Sequence, residues 1–112
     1  MSTQTHADAA TIQRTITAAL TERHGRIHMD ALTDLDRHLR QHIDRLLPEA
    51  QKVTDGLWRG SLDWYRQASI LDAIREHTRP LPASPLSALA DIEQRARHCQ
   101  WLLDQHAPPG DA

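Results

Sequence analysis

Apolar residues recur with helical spacing in four stretches of the chain, and no stretch alternates apolar and polar residues as a half-buried strand would. Over residues 8–24, Ile12, Ile16, Ala19 and Leu20 fall at i, i+4, i+7 and i+8, one face of a helix. Asp8 is a candidate N-cap and Gly25 a candidate stop, since glycine tolerates the left-handed conformation at helix ends. A second stripe starts near the capping residue Asp30 and comprises Leu32, Leu35, Leu39, His42, Ile43 and Leu46. Pro48 has no N–H and its ring clashes with the carbonyl of Asp44, so this helix is expected to kink or end near Leu47, with 49–54 as a short continuation.

Asp55-Gly56 and Gly60-Ser61 are turn signals. A third helix is expected from about Ser61 to His77, with Trp64, Ala68, Leu71 and Ile74 in line and Leu62 and Ile70 widening the face. On that stripe Trp64 reads as a core anchor. Pro80 and Pro82 make 78–83 an extended linker. Ser84 then suits an N-cap and Pro85 the first helical position. The fourth helix carries Leu89, Ile92, Ala96, Cys99 and Leu103 and stops before Pro108. The fold class predicted is all-α: a small four-helix bundle with a proline break in or after the second helix. Residues 8–106 form its single domain, between disordered ends at 1–7 and 107–112.

Composition supports a folded chain. Leu, Ile, Val and Phe together supply 22 of 112 residues, close to the disordered range, but the net charge is only −2 and disorder requires both extremes. No apolar run approaches the ~20 residues of a membrane span. The first residues lack the basic and apolar regions of a secretory signal. One cysteine cannot form an internal disulfide, and a reducing cytoplasm is the simplest location. The pI near 6.4 argues against a nucleic-acid binder. Arg37, Arg40 and Arg45 are moreover interleaved with Asp34, Asp36 and Asp44, which cancels their attraction for phosphate.

Eight histidines raise the question of a metal. His38 and His42 lie on adjoining turns of one helix face, with Asp34 one turn earlier. No HExxH pattern or cysteine cluster accompanies them. The competing interpretation puts His42 at the edge of the stripe, bonded to a carbonyl, and His38 in water. Neither a metal nor another cofactor is assigned. Cys99 lies on an apolar stripe, where a thiol behaves as a small hydrophobe, and His98 beside it points elsewhere. No catalytic residue is assigned. Asp36 with Arg40, Asp72 with Arg75 and Asp91 with Arg95 all read as helix-surface pairs worth little each.

Trp101 falls well off the Leu89, Ala96 and Leu103 line. Either the fourth helix is buried on two sides, or Trp101 is exposed and, with Leu102, marks a docking or homodimer surface.

Three stretches carry a family resemblance. They are 39–49 (LRQHIDRLLPE), 60–65 (GSLDWY) with Ala68 and 70–75 (ILDAIR), and 96–103 (ARHCQWLL). Together they resemble an uncharacterised family of small streptomycete-type proteins, a domain of unknown function labelled with natural-product biosynthesis. A composition of 12 arginines to one lysine, with 15 alanines, matches a GC-rich actinobacterial genome. The resemblance implies a genomic context and no catalytic residue. The leading expectation is a non-catalytic accessory protein that binds a protein partner or a second copy of itself. The alternative is a small-molecule binder or enzyme with a pocket between helices, lined by His42, Trp64, Tyr65 and Cys99.

Overall fold

The computed structural model describes residues 2–21 and 28–106, with side chains for 9–21 and 28–105. Four helices and no strand occur among them: α1 (Ser2–Leu20), α2 (Met29–Asp55), α3 (Leu62–Glu76) and α4 (Pro85–His106). The all-α class follows. The range of α1 begins ahead of Asp8, and the Gly25 stop lies outside the described residues, as does the 107–112 tail.

Local chemistry sets most of the remaining ends. Asp30 falls within the first turn of α2 rather than at its cap, which is His28 in an extended conformation with no capping side chain. An acidic residue there still complements the positive end of the helix dipole. The α2–α3 connection turns at Gly60, whose φ of 91° is open to glycine at no steric cost. Ser61 then caps α3, its hydroxyl accepting from the Trp64 amide at 3.1 Å. Pro85 opens α4, and the Ala88 amide donates to the Ser84 carbonyl at 2.8 Å.

Pro48 does not end α2, which runs seven residues past it to Asp55. Leu46, Ala50 and Thr54 carry the buried stripe past the proline. Pro48 and Asp44 both face solvent, so water can satisfy the carbonyl that loses its partner.

The core lies between α2 and α4, whose contact is the most extensive, with α1 laid against both. Leu32, Leu39, Ile43 and Leu46 from α2 meet Ala88, Ile92, Ala96, Cys99, Leu102 and Leu103 from α4, and α1 adds Ile12, Ile16 and Ala19. Each fully buried Leu or Ile side chain contributes about 1.5–3 kcal/mol. The small residues on α4 admit close approach of the helices. α3 rests chiefly on α2 and contributes only Leu71 and Ile74 to the buried set. Trp64 is half-buried rather than a core anchor, because the face of α3 beyond its contact with α2 is left largely open.

Candidate functional site

Two regions outside the apolar core concentrate functional side chains. The first is ionic and buried. Arg95 on α4 is 1% exposed and donates through Nη1 to Asp36 Oδ1 on α2 at 2.9 Å. Its Nη2 donates to the carbonyls of His77 at 3.3 Å and Arg79 at 3.1 Å. Asp36 is shared, since its Oδ2 accepts from Arg40 Nε at 2.8 Å. Arg40 in turn donates to the carbonyls of Thr78, at 3.2 Å, and Arg79. The chain after α3 is extended and contains two prolines, so it has no ladder of its own for these carbonyls. Two arginines supply the missing donors and bind the linker to α2 and α4.

Asp91 completes this region. It is buried, and accepts from Arg79 Nη2 at 2.7 Å and Nε at 3.2 Å, a two-point clamp. Hydrogen bonding from Arg79 holds its carboxyl below the usual range, against the opposing effect of burial. Burial lowers the pKa of the Arg95 guanidinium, with Asp36 opposing. His77 and His98 meet edge to face, ring centroids 5.5 Å apart. Burial, then the Arg95 charge, lowers His77, which Asp91 partly offsets. Burial, then His77 and Arg95, lowers His98. Of the expected surface pairs, Asp36–Arg40 and Asp72–Arg75 form, although Asp36 is buried, and Asp91–Arg95 is corrected. Asp36 bridges two helices, and Asp91 takes Arg79 and His77 as its hydrogen-bond or ion-pair partners.

The second region is aromatic and exposed. It occupies the α2–α3 corner, where Trp58 is 87% exposed, Leu62 65% and Tyr65 58%. Trp64 and Tyr65 pack edge to face at 5.1 Å, and the Arg59 guanidinium lies 5.6 Å from the Trp64 ring centroid. Beside them a cleft of about 410 Å³ opens between the end of α2 and α3, lined among others by Thr54, Leu57, Arg59, Trp64 and Leu71.

The residues singled out from sequence are dispersed. His42 is half-buried, its Nε2 3.3 Å from the Thr15 hydroxyl on α1. Trp64 lines the corner cleft, Tyr65 projects into solvent, and Cys99 is fully buried with its thiol pushed up to about 12 by desolvation. His42 and Cys99 thus do not join the two aromatics at the corner. Asp34 is exposed and paired with Arg37 at 3.0 Å, while His38 is exposed. Among the described residues no three His, Cys, Asp or Glu side chains are placed to hold a metal ion. Leu102 is fully buried and Trp101 is partly buried against the core. Of the two alternatives, burial of α4 on two sides is the one that fits these positions. Trp58 was not singled out, although an aromatic between two turn signals had no stripe to join.

No helix among the described residues is long and apolar enough to cross a membrane. No curated protein and no solved structure matches the chain. A family model of unknown function matches residues 10–111, nearly the whole sequence, and on that match the chain belongs to the family of unknown function DUF6415.

Proposed function

We propose that this chain is a non-catalytic protein-interaction module that docks a protein partner at its α2–α3 corner. One observation carries the proposal: Trp58 is 87% exposed in a chain whose buried core holds no aromatic side chain. Burying a tryptophan is among the largest apolar gains available to a small domain, and this chain takes it only in part at Trp64 and Trp101 and forgoes it at Trp58. Trp and Tyr are the residues most enriched at binding hot spots. The non-catalytic assignment is supported by the employment of the buried polar groups. Asp36, Asp91 and Arg95 are engaged in structural bonds, and the Cys99 thiol is too basic to serve as a nucleophile at neutral pH. The arginine-rich, lysine-poor composition suits an actinobacterial source, the resemblance described above suits an accessory role in natural-product biosynthesis, and the single cysteine suits a reducing cytoplasm.

A photoreactive residue at position 62, which leaves Trp58 and Tyr65 in place, cross-linked in the source cell, identifies the partner. The test is the affinity of the purified pair. Trp58→Ala and Tyr65→Ala are expected to raise Kd at least about tenfold each without changing helicity. Unchanged affinity in both variants would refute docking at this corner.

A further inference from the structure

The aromatic corner carries a knob and a hole side by side. Leu57 and Arg59, on either side of Trp58, both line the cleft between the end of α2 and α3, while Trp58 is not among its walls and is 87% exposed. At about 410 Å³ the cleft has room for one indole. Leu57, Trp64, Ala68 and Leu71 give it apolar walls. An indole also brings one N–H donor and no acceptor. The carboxylates of Asp55 and Asp72 line the same cleft and can accept it. Asp55 Oδ1 already accepts from Gln51 at 2.8 Å, but a carboxylate has sites for several bonds.

Charge gives no preference to an ionic occupant. Arg59 and Arg75 in the cleft are matched by Asp55 and Asp72, and Asp72 is itself paired with Arg75 at 3.9 Å. The rim is balanced too. From 49 to 66 the charged residues alternate in sign, Glu49, Lys52, Asp55, Arg59, Asp63 and Arg66, and sum to zero. A surface of alternating sign complements a rotated copy of itself, and with a net charge of −2 two whole chains repel each other little.

Area points the same way. Trp58, Leu62 and Tyr65 together leave on the order of 450 Å² open to solvent. Two copies meeting there would cover on the order of 900 Å² before the cleft walls are counted, close to the ~1,000 Å² at which specific interfaces begin. A foreign partner needs only one of the two features, a knob to receive or a hole to fill. Both on one face are what a two-fold contact requires, in which residue i meets residue j and j meets i.

Taking the corner as the docking site proposed above, we infer that its partner is a second copy of this chain, with Trp58 of each copy seated in the α2–α3 cleft of the other. Sedimentation equilibrium of the full chain, from about 1 µM to about 1 mM, is expected to show a reversible dimer with Kd of about 1–100 µM, as suits so small an interface. Trp58→Ala removes both knobs, and Ala68→Met narrows both clefts. At about tenfold per seat, either variant alone should associate about a hundredfold more weakly. An equimolar mixture of the two keeps one intact seat, the knob from one variant and the cleft from the other. It should associate only about tenfold more weakly than the parent, a rescue that loss of apolar area alone would not give. If Ala68→Met fails to fold, nuclear Overhauser effects between labelled and unlabelled copies decide: they should connect the Trp58 indole of one copy to the Leu57 and Leu71 methyls of the other. A chain that stays monomeric at about 1 mM, a dimer indifferent to Trp58→Ala, a mixture no tighter than its components, or an indole seated in its own copy's cleft would each overturn the second copy as partner. If the chain is monomeric and Trp58→Ala still weakens binding of a different captured protein, the corner stands as a docking site and only the second copy is lost.

Discussion

Arg95 and Trp58 occupy each other's customary places. The guanidinium is 1% exposed at the centre of the α2–α4 contact, and the indole is 87% exposed on a turn. The ionic region is closed: Arg95, Arg40 and Asp91 meet partners on neighbouring helices and on linker carbonyls. The aromatic region is open, since Trp58, Leu62 and Tyr65 are left mainly to solvent. A small domain that hides charge and displays apolar surface carries a desolvation cost at one place and an unused apolar gain at the other. The first is offset by the bonds that fix α2, α4 and the linker in one arrangement. The second is recovered when something else covers the corner, and this asymmetry separates architecture from docking.

The contrast breaks most visibly at Arg95. Arg95→Ala leaves Asp36 buried with half its partners, and a loss of about 3–5 kcal/mol in chemical denaturation is expected. A loss below about 1 kcal/mol would show that the pair is solvated after all. The double variant Asp36→Leu, Arg95→Met is expected to lose less than the two single losses combined, because no lone charge remains.

Asp91→Asn is expected to cost about 1–3 kcal/mol. Faster amide exchange should be confined to the linker and the first turns of α4. Exchange that rises uniformly would mean that the clamp supports the whole core instead of the linker.

Acid acts on the same region in two stages. His77 and His98 have folded values below the ordinary 6.5, so the unfolded chain takes up their protons first. Stability present above pH 6.5 is therefore lost as pH falls from there towards the depressed values. Asp91 also has a lowered folded value, and its contribution is lost below its ordinary 3.8. Thermal melts should decline in both windows. Replacing both histidines with glutamine should flatten the upper one.

At the open corner, Trp58→Ala should change stability by no more than about 0.5 kcal/mol. A larger loss would show that the indole is part of the fold.

The elements themselves were legible in sequence because each depends on short-range chemistry. Ser61 and Pro85 set helix starts, and the stripes on α2 and α4 set the buried faces. Pro48 appeared stronger than it is, because local sequence cannot show that its side of the helix faces water. Asp36 and Arg95 were read as surface pairs by their i,i+4 neighbours. Yet Asp36 lies in the row Leu32, Asp36, Leu39, Ile43, and Arg95 in the row Ala88, Ile92, Arg95, Cys99, Leu102. An acid on one core row and a base on another were the available sign that the two helices meet through a salt bridge. Trp101 and Leu102 left two readings open, because an off-stripe apolar pair cannot tell a helix packed against two neighbours, as α4 is, from one with an exposed patch.

Hydrogen–deuterium exchange of the chain, alone and saturated with the partner captured from position 62, tests docking at the corner most directly. New protection confined to residues 53–65 is the predicted result. Protection on α1 or along α4, with 53–65 exchanging as in the free chain, would contradict it.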